Sequence, residues 1–228
     1  MLRVPSPEFN RIVLDAISEK YKLALPREGI HLSTLVYCLT KSFLDTQAPP
    51  EPSDIEIMLF ATGYGLQDVM TPKLASTPTI EKDSIIYRPD FLLDDRLCEI
   101  KTTRAGAKRY TKGDYPQTWI EYIMGGCYIT GKDTYYLSVL YISERPVPVI
   151  QSEVLTFEHE ELLTNWGRLT ERMGIYKVAL VTNVPPTPFT YNKKWECDNC
   201  RHHTLCDTIV ILESRARAKK DIEKYWPR

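Results

Sequence analysis

Residues 85–103 read IIYRPDFLLDDRLCEIKTT, and no other stretch limits the fold so tightly. Asp94-Asp95 has the makings of a two-residue hairpin loop between two apolar runs. Counting back from that loop pairs Leu93 with Arg96, Leu92 with Leu97, Phe91 with Cys98 and Asp90 with Glu99. Residues two apart on a strand share a face, so Glu99 and Lys101 project together while Ile100 packs behind them. Two carboxylates and an ammonium then occupy one small patch. Like charges directly opposite destabilise a sheet, so folding alone does not reward the arrangement. A hard divalent cation removes the repulsion, and oxygen donors of this kind suit Mg²⁺ or Mn²⁺. The patch reads as a metal-dependent active site built on Asp90, Glu99 and Lys101.

At 228 residues the chain can bury one substantial core, and a single domain over residues 1–228 is the expectation. A net charge of −1 argues against a protein that coats nucleic acid through bulk positive charge, and leaves a local basic groove open. No apolar run is long enough to span a bilayer, so no membrane partner is expected, and the opening MLRVPSPEFN does not resemble a signal peptide. Six cysteines, at 38, 98, 127, 197, 200 and 206, then point to a reducing, cytoplasmic setting. There, metal or cluster ligation outranks disulfides.

Taken in order, Ser6 and Pro7 open a helix as N-cap and first helical residue, with Phe9, Ile12, Val13, Ala16, Ile17 and Tyr21 as a packing stripe. Residues 31–44 read as one helix capped by Ser33, with Cys38 inside it. After the proline-rich break at 46–53 a helix runs from 54 to about 69, burying Ile55, Met58, Leu59 and Tyr64. Residues 71–84 are a loop with room for a short strand. Beyond the hairpin, Arg104, Lys108, Arg109 and Lys112 form either a solvated loop or a phosphate-contacting edge. A helix over 116–130 (despite Gly125-Gly126), strands at 134–142 and 154–157, and a helix over 158–183 follow. Residues 183–191, with three prolines, are a linker.

The end of the chain carries WECDNCRHHTLC, a C-x2-C-x5-C run at Cys197, Cys200 and Cys206. Three thiols so close together suit a metal. Zinc would complete its set with His202 or His203, whereas an iron–sulfur cluster would need a fourth cysteine from elsewhere. Cys38 is the distant candidate, since Cys98 lies inside the hairpin.

Together these pieces resemble the RecB-like exonucleases of the PD-(D/E)XK superfamily. The order is Ser33-x-Leu35-x-x-Cys38 with Lys41 nearby, Pro89-Asp90, Glu99-Ile100-Lys101, a helix bearing Gln117, and Cys197-x2-Cys200-x5-Cys206. The likeness spans about residues 31 to 207 and is strongest to the CRISPR-associated Cas-four nucleases, whose pattern brackets the D…ExK pair with cysteines on both sides. It implies an α/β fold with a restriction-endonuclease-like core, a mixed central sheet flanked by helices. It also implies a [4Fe–4S] cluster on Cys38, Cys197, Cys200 and Cys206, with residues 31–44 and 195–207 forming the cluster region. Asp90, Glu99 and the Ile100 carbonyl would hold Mg²⁺ or Mn²⁺, Lys101 would orient or deprotonate the attacking water, and Gln117 would face metal or DNA. The implied activity is DNA cleavage at ends or on single strands, as an exonuclease, with CRISPR adaptation proteins as possible partners. Two departures stand out. The family's Gly-x-x-x-His signature has Gln67, next to Asp68, at the histidine position, and its Gln-x-x-x-Tyr motif has Glu121 where the tyrosine belongs, with Tyr122 one place later. The competing expectation is a decayed nuclease or viral homologue that binds DNA or a partner without cutting.

Overall fold

The computed structural model describes residues 6–21, 28–48, 51–110, 113–191, 193–198 and 200–225. Lys112 lies outside them. Around the hairpin the chain builds two mixed sheets. In the first, β1 (Ile30–His31) runs parallel to β3 (Ile85–Tyr87), and β2 (Ile80–Lys82) is antiparallel to β3. The second has the order β4-β5-β6-β7, with β4 Phe91–Leu93, β5 Arg96–Thr103, β6 Thr134–Tyr141 and β7 Val149–Thr156. Strands β4 and β5 form the hairpin in the register expected, Leu93 opposite Arg96, Leu92 opposite Leu97 and Phe91 opposite Cys98. Asp94 and Asp95 both have positive φ (48° and 62°), as a type I′ turn requires.

Strands β5 and β6 are parallel, so the chain must cross over between them, and α5 (Gln117–Thr130) does so. Strand β6 alternates strictly: Tyr135, Leu137, Val139 and Tyr141 are buried and their neighbours are not. Paired positions on β5 share that inward face, so Leu97, Glu99 and Lys101 stand in line with the core. Helix α5 lies over this face, and its Gly125-Gly126 pair sets how close it comes. A Cβ on Gly125 would stand 2.9 Å from Leu32, and one on Gly126 would stand 2.5 Å from the Tyr87 hydroxyl. Helix α6 (His159–Thr182) packs on α5 through Leu162, Trp166 and Leu169. Among the described residues no helix is long and apolar enough to cross a membrane.

Three expectations are corrected. The 31–44 segment is two helices, α2 (Leu32–Val36) and α3 (Leu39–Gln47), with Tyr37 and Cys38 extended between them, and Ser33 sits within α2, whose N-cap is His31. The stripe on α1 (Pro7–Tyr21) does not face the core: Phe9 is 64% exposed and Ile12 56%, while Leu14 is buried. On α4 (Asp54–Met70) Ile55 and Met58 are likewise 70% and 50% exposed, and Ile57 is the buried residue. Helices α1 and α4 lie side by side at the periphery, joined by Arg11–Asp54 and by the Tyr21 and Tyr64 rings 5.7 Å apart. Their apolar residues therefore have little body to pack against. The helix starts read from Ser6 and from residue 54 are found, the second with a capping box between Ser53 and Glu56.

Candidate active site

Asp90 follows Pro89 at the mouth of the hairpin, one step before the β4–β5 ladder begins. Its carboxylate takes over the backbone's role there, accepting the Ile100 N–H at Oδ2 (2.6 Å). The other oxygen accepts from the Gln67 amide at 3.0 Å, so α4 reaches the site one turn before its C-terminus. Glu99 projects from β5 into the core and is 2% exposed. It is held from both sides: Oε1 accepts from the Lys101 ammonium, and Oε2 accepts from the Tyr135 hydroxyl at 3.1 Å. Tyr135 in turn meets Tyr87 hydroxyl to hydroxyl at 2.7 Å. Ile100 faces the opposite side with Phe91 and Cys98, as the pleat requires.

The charge balance follows from this packing. Burial, and then the facing charge of Glu99, push the Asp90 carboxyl up to about 7 despite Lys101, the Ile100 N–H and Gln67. Burial would depress the Lys101 ammonium, but Glu99 and Asp90 outweigh it and hold the group above its ordinary range. Lys101 also stands 5.4 Å from the centre of the Tyr122 ring. Burial raises the Tyr37 hydroxyl; it bonds Thr118 and lies within the fields of Lys101, Glu99 and Glu196. The residue freed by the α2–α3 break thus lines the same cleft as the carboxylates and feels the charge of Glu196 on the cysteine-bearing segment.

These groups line a cleft of about 950 Å³. Its walls carry aromatic rings (Tyr21, Tyr37, Tyr64, Trp119, Tyr122), the cations Lys20 and Arg88 and the acids Glu28 and Asp68, around Asp90, Glu99 and Lys101. Gln117 is elsewhere. It is exposed, gives its amide to Glu121 at 3.3 Å, and does not line the cleft. A helix turns about 100° per residue, and Thr118, Trp119 and Tyr122 are the α5 residues that line the cleft. Arg104, Lys108 and Arg109 do not line it either. Of the residues found here, Tyr135, Tyr87 and Tyr37 were not singled out by the sequence, and only the alternation of β6, which turns Tyr135 inward, carried a signal for one of them; Tyr122, one place beyond the motif's tyrosine position, does line the cleft.

Four of the six cysteines lie in a second region. Cys38, at the start of α3, and Cys197, Cys200 and Cys206 are all half-buried free thiols. Burial, followed by the neighbouring sulfurs of Cys38, Cys200 and Cys197 in that order, pushes the Cys206 thiol up to about 11. The segment is anchored by His202 to Asp45 on α3 (2.7 Å) and by Arg201 to Glu56 on α4. Thr40 adds a bond to the Pro186 carbonyl at 2.8 Å. Backbone bonds from Cys200 to Cys197 and from His203 to Cys200 wind the intervening turns. Among the described residues, no three His, Cys, Asp or Glu side chains are drawn close enough to hold a metal ion as they stand. Cys98 packs in the small cluster behind the hairpin, far in role from the other four.

No protein-family model and no curated protein matches the chain. Among solved structures, it is similar to the crystal structure of SSO0001, at 16% identity over 87% of this chain and 95% of that one, with a TM-score of 0.53. That likeness shows a shared fold. Weaker ones are to the alkaline exonuclease LHK-Exo from Laribacter hongkongensis (11% identity, 73% and 95% covered, TM-score 0.46) and a phage-related exonuclease from Haemophilus somnus 129PT (12%, 79% and 91%, 0.37).

Proposed function

We propose that this chain is a divalent-metal-dependent deoxyribonuclease of the RecB-like kind, cutting phosphodiester bonds at DNA ends or in single strands. The observation that carries the proposal is the pair of carboxylates, Asp90 and Glu99, with Lys101 beside them on the wall of a cleft lined by aromatic rings and by charges of both signs. Burial, and then the charge of Glu99, lift Asp90 to about 7; a cation would offset both, and the oxygen donors fit Mg²⁺ or Mn²⁺. Asp90, Glu99 and the Ile100 carbonyl would hold the ion, which when bound supplies charge neutralisation at the scissile phosphate and activation of water. Lys101 would orient or deprotonate the attacking water; Glu99 and Asp90 raise its ammonium in the metal-free site, and a bound cation would act against them. Tyrosine and tryptophan rings beside Lys20 and Arg88 suit bases stacked along a backbone held by charge.

The four thiols would hold a [4Fe–4S] cluster of structural role, joining the α2–α3 corner to the C-terminal segment. Support comes from the chemistry of the donor set, four half-buried sulfurs from two remote parts of the chain whose charges act on one another. His202, the nearest alternative ligand for zinc, is turned to Asp45. DNA is the proposed partner, with CRISPR spacer acquisition or recombination as the setting. A second reading, a DNA-binding module of the same fold that no longer cuts, draws on Gln67, whose amide points at Asp90 where the family has histidine. Anaerobically purified protein offered labelled single-stranded DNA with Mn²⁺ separates the two. Cleavage lost in D90A supports the enzyme, retention without cleavage supports the module, and cleavage unchanged in D90A and K101A refutes the site.

A further inference from the structure

The side of Glu99 away from the cleft is closed by a chain of hydroxyls that the carboxylate chemistry alone does not call for. Ionised Glu99 can only accept, so the Tyr135 proton goes to Oε2. That leaves the Tyr135 oxygen as acceptor and Tyr87 as donor in the 2.7 Å bond between them. Both tyrosines are 0% exposed, so bulk solvent does not reach either side chain. Tyr87 reaches this position only because Gly126 offers no Cβ: one built there would stand 2.5 Å from the Tyr87 oxygen and 2.6 Å from its ring carbon. Tyr122 packs on the same ring at 5.7 Å. The whole device is buried and directional, and it ends on one oxygen.

We propose that Tyr135, braced by Tyr87 in the slot opened by Gly126, is a positioning residue of the metal site. It fixes the rotamer of Glu99 so that the carboxylate stays turned toward Asp90. With Lys101 on Oε1 and Tyr135 on Oε2, each oxygen keeps one lone-pair direction for an ion. A donor chain in a dry interior also polarises along its length, which strengthens the bond to Glu99 Oε2. The role is the one outer hydrogen bonds play for ligating carboxylates generally. It rests on the reading of Asp90 and Glu99 as ligands.

The test is calorimetric titration of metal-stripped protein with Mn²⁺, alongside steady-state cleavage of single-stranded DNA, for wild type, D90A, Y135F and Y87F/Y135F. The double variant removes both hydroxyls and leaves only Glu99 Oε2 short of a donor, whereas Y135F alone also strands the Tyr87 proton; a thermal melt of each variant checks that the fold is kept. The expected result is Mn²⁺ binding weakened about 10-fold or more in Y135F and in the double variant. At saturating metal, kcat should fall while KM for DNA is unchanged. Mn²⁺ affinity and kcat within twofold of wild type in both variants, with binding lost in D90A, would overturn the role of Tyr135. Wild-type Mn²⁺ binding in D90A would instead remove the ligand assignment beneath it, and the proposal with it.

Discussion

Replacing Asp90 by asparagine should stabilise the metal-free protein at alkaline pH, an unusual outcome for a change at the centre of an active site. Asp90 is raised from 3.8 to about 7, first by burial and then by Glu99. A carboxyl whose folded pKa is raised binds its proton more tightly in the folded state. Its contribution is therefore fully present below about pH 4 and is lost as pH rises through about 7. The shift is about 3 units at ~1.4 kcal/mol each, which sets a ceiling of about 4 kcal/mol on the difference between acid and alkaline conditions. Asparagine has the same shape and no charge. Its oxygen can accept the Ile100 N–H, and its amide can donate to Gln67 once the Gln67 amide turns over. Allowing for the weaker neutral bonds, D90N should exceed wild type by about 1–3 kcal/mol at pH 8 and match or fall below it at pH 5. Urea unfolding in chelator at the two pH values reads this directly. Saturating Mn²⁺ at 100 times its Kd should then add about 2.7 kcal/mol to wild type and leave D90N unmoved. Equal stability of D90N and wild type at pH 8, with the same pH dependence, would refute the raised Asp90 carboxyl to which burial and then Glu99 contribute.

Three further outcomes follow from the same geometry. K101M removes the cation paired with buried Glu99 and should cost about 3–5 kcal/mol in chelator, part of it restored by Mn²⁺; an unchanged midpoint would show that the pair carries no stability. G174A, on the exposed face of α6 with nothing near its new Cβ, should stabilise by about 1 kcal/mol, whereas G126A should fall below G174A by about 1–3 kcal/mol because it meets Tyr87. Thermal melts of the two side by side decide it. C38S and C206S should each lose iron and visible absorption from anaerobically purified protein while C98S keeps both, as iron content and the spectrum would record.

The hairpin was legible because its information is local. Asp94-Asp95 sets the turn, the turn sets the register, and the register places Glu99 and Lys101 on the inward face. Helices α5 and α6 were legible for the same reason, with long apolar patterns that end where Gly131 and Asn183 adopt positive φ. The break at Tyr37-Cys38 was not. No glycine or proline marks it, and it is stabilised from 135 residues away by Arg172, which donates to the carbonyls of Leu35 and Tyr37. The apolar content of α1 and α4 misled because apolar spacing gives a face but not a partner, and at the periphery there is little for that face to meet. Gln117 was placed by motif position, and one residue of helical twist was enough to turn Thr118 inward in its stead.

The most direct measurement is anomalous diffraction at the manganese edge from crystals grown with Mn²⁺. The account predicts a peak between Asp90 and Glu99, at roughly 2.1 Å from an oxygen of each. A map with no peak there, or with manganese at the cysteines alone, would contradict it.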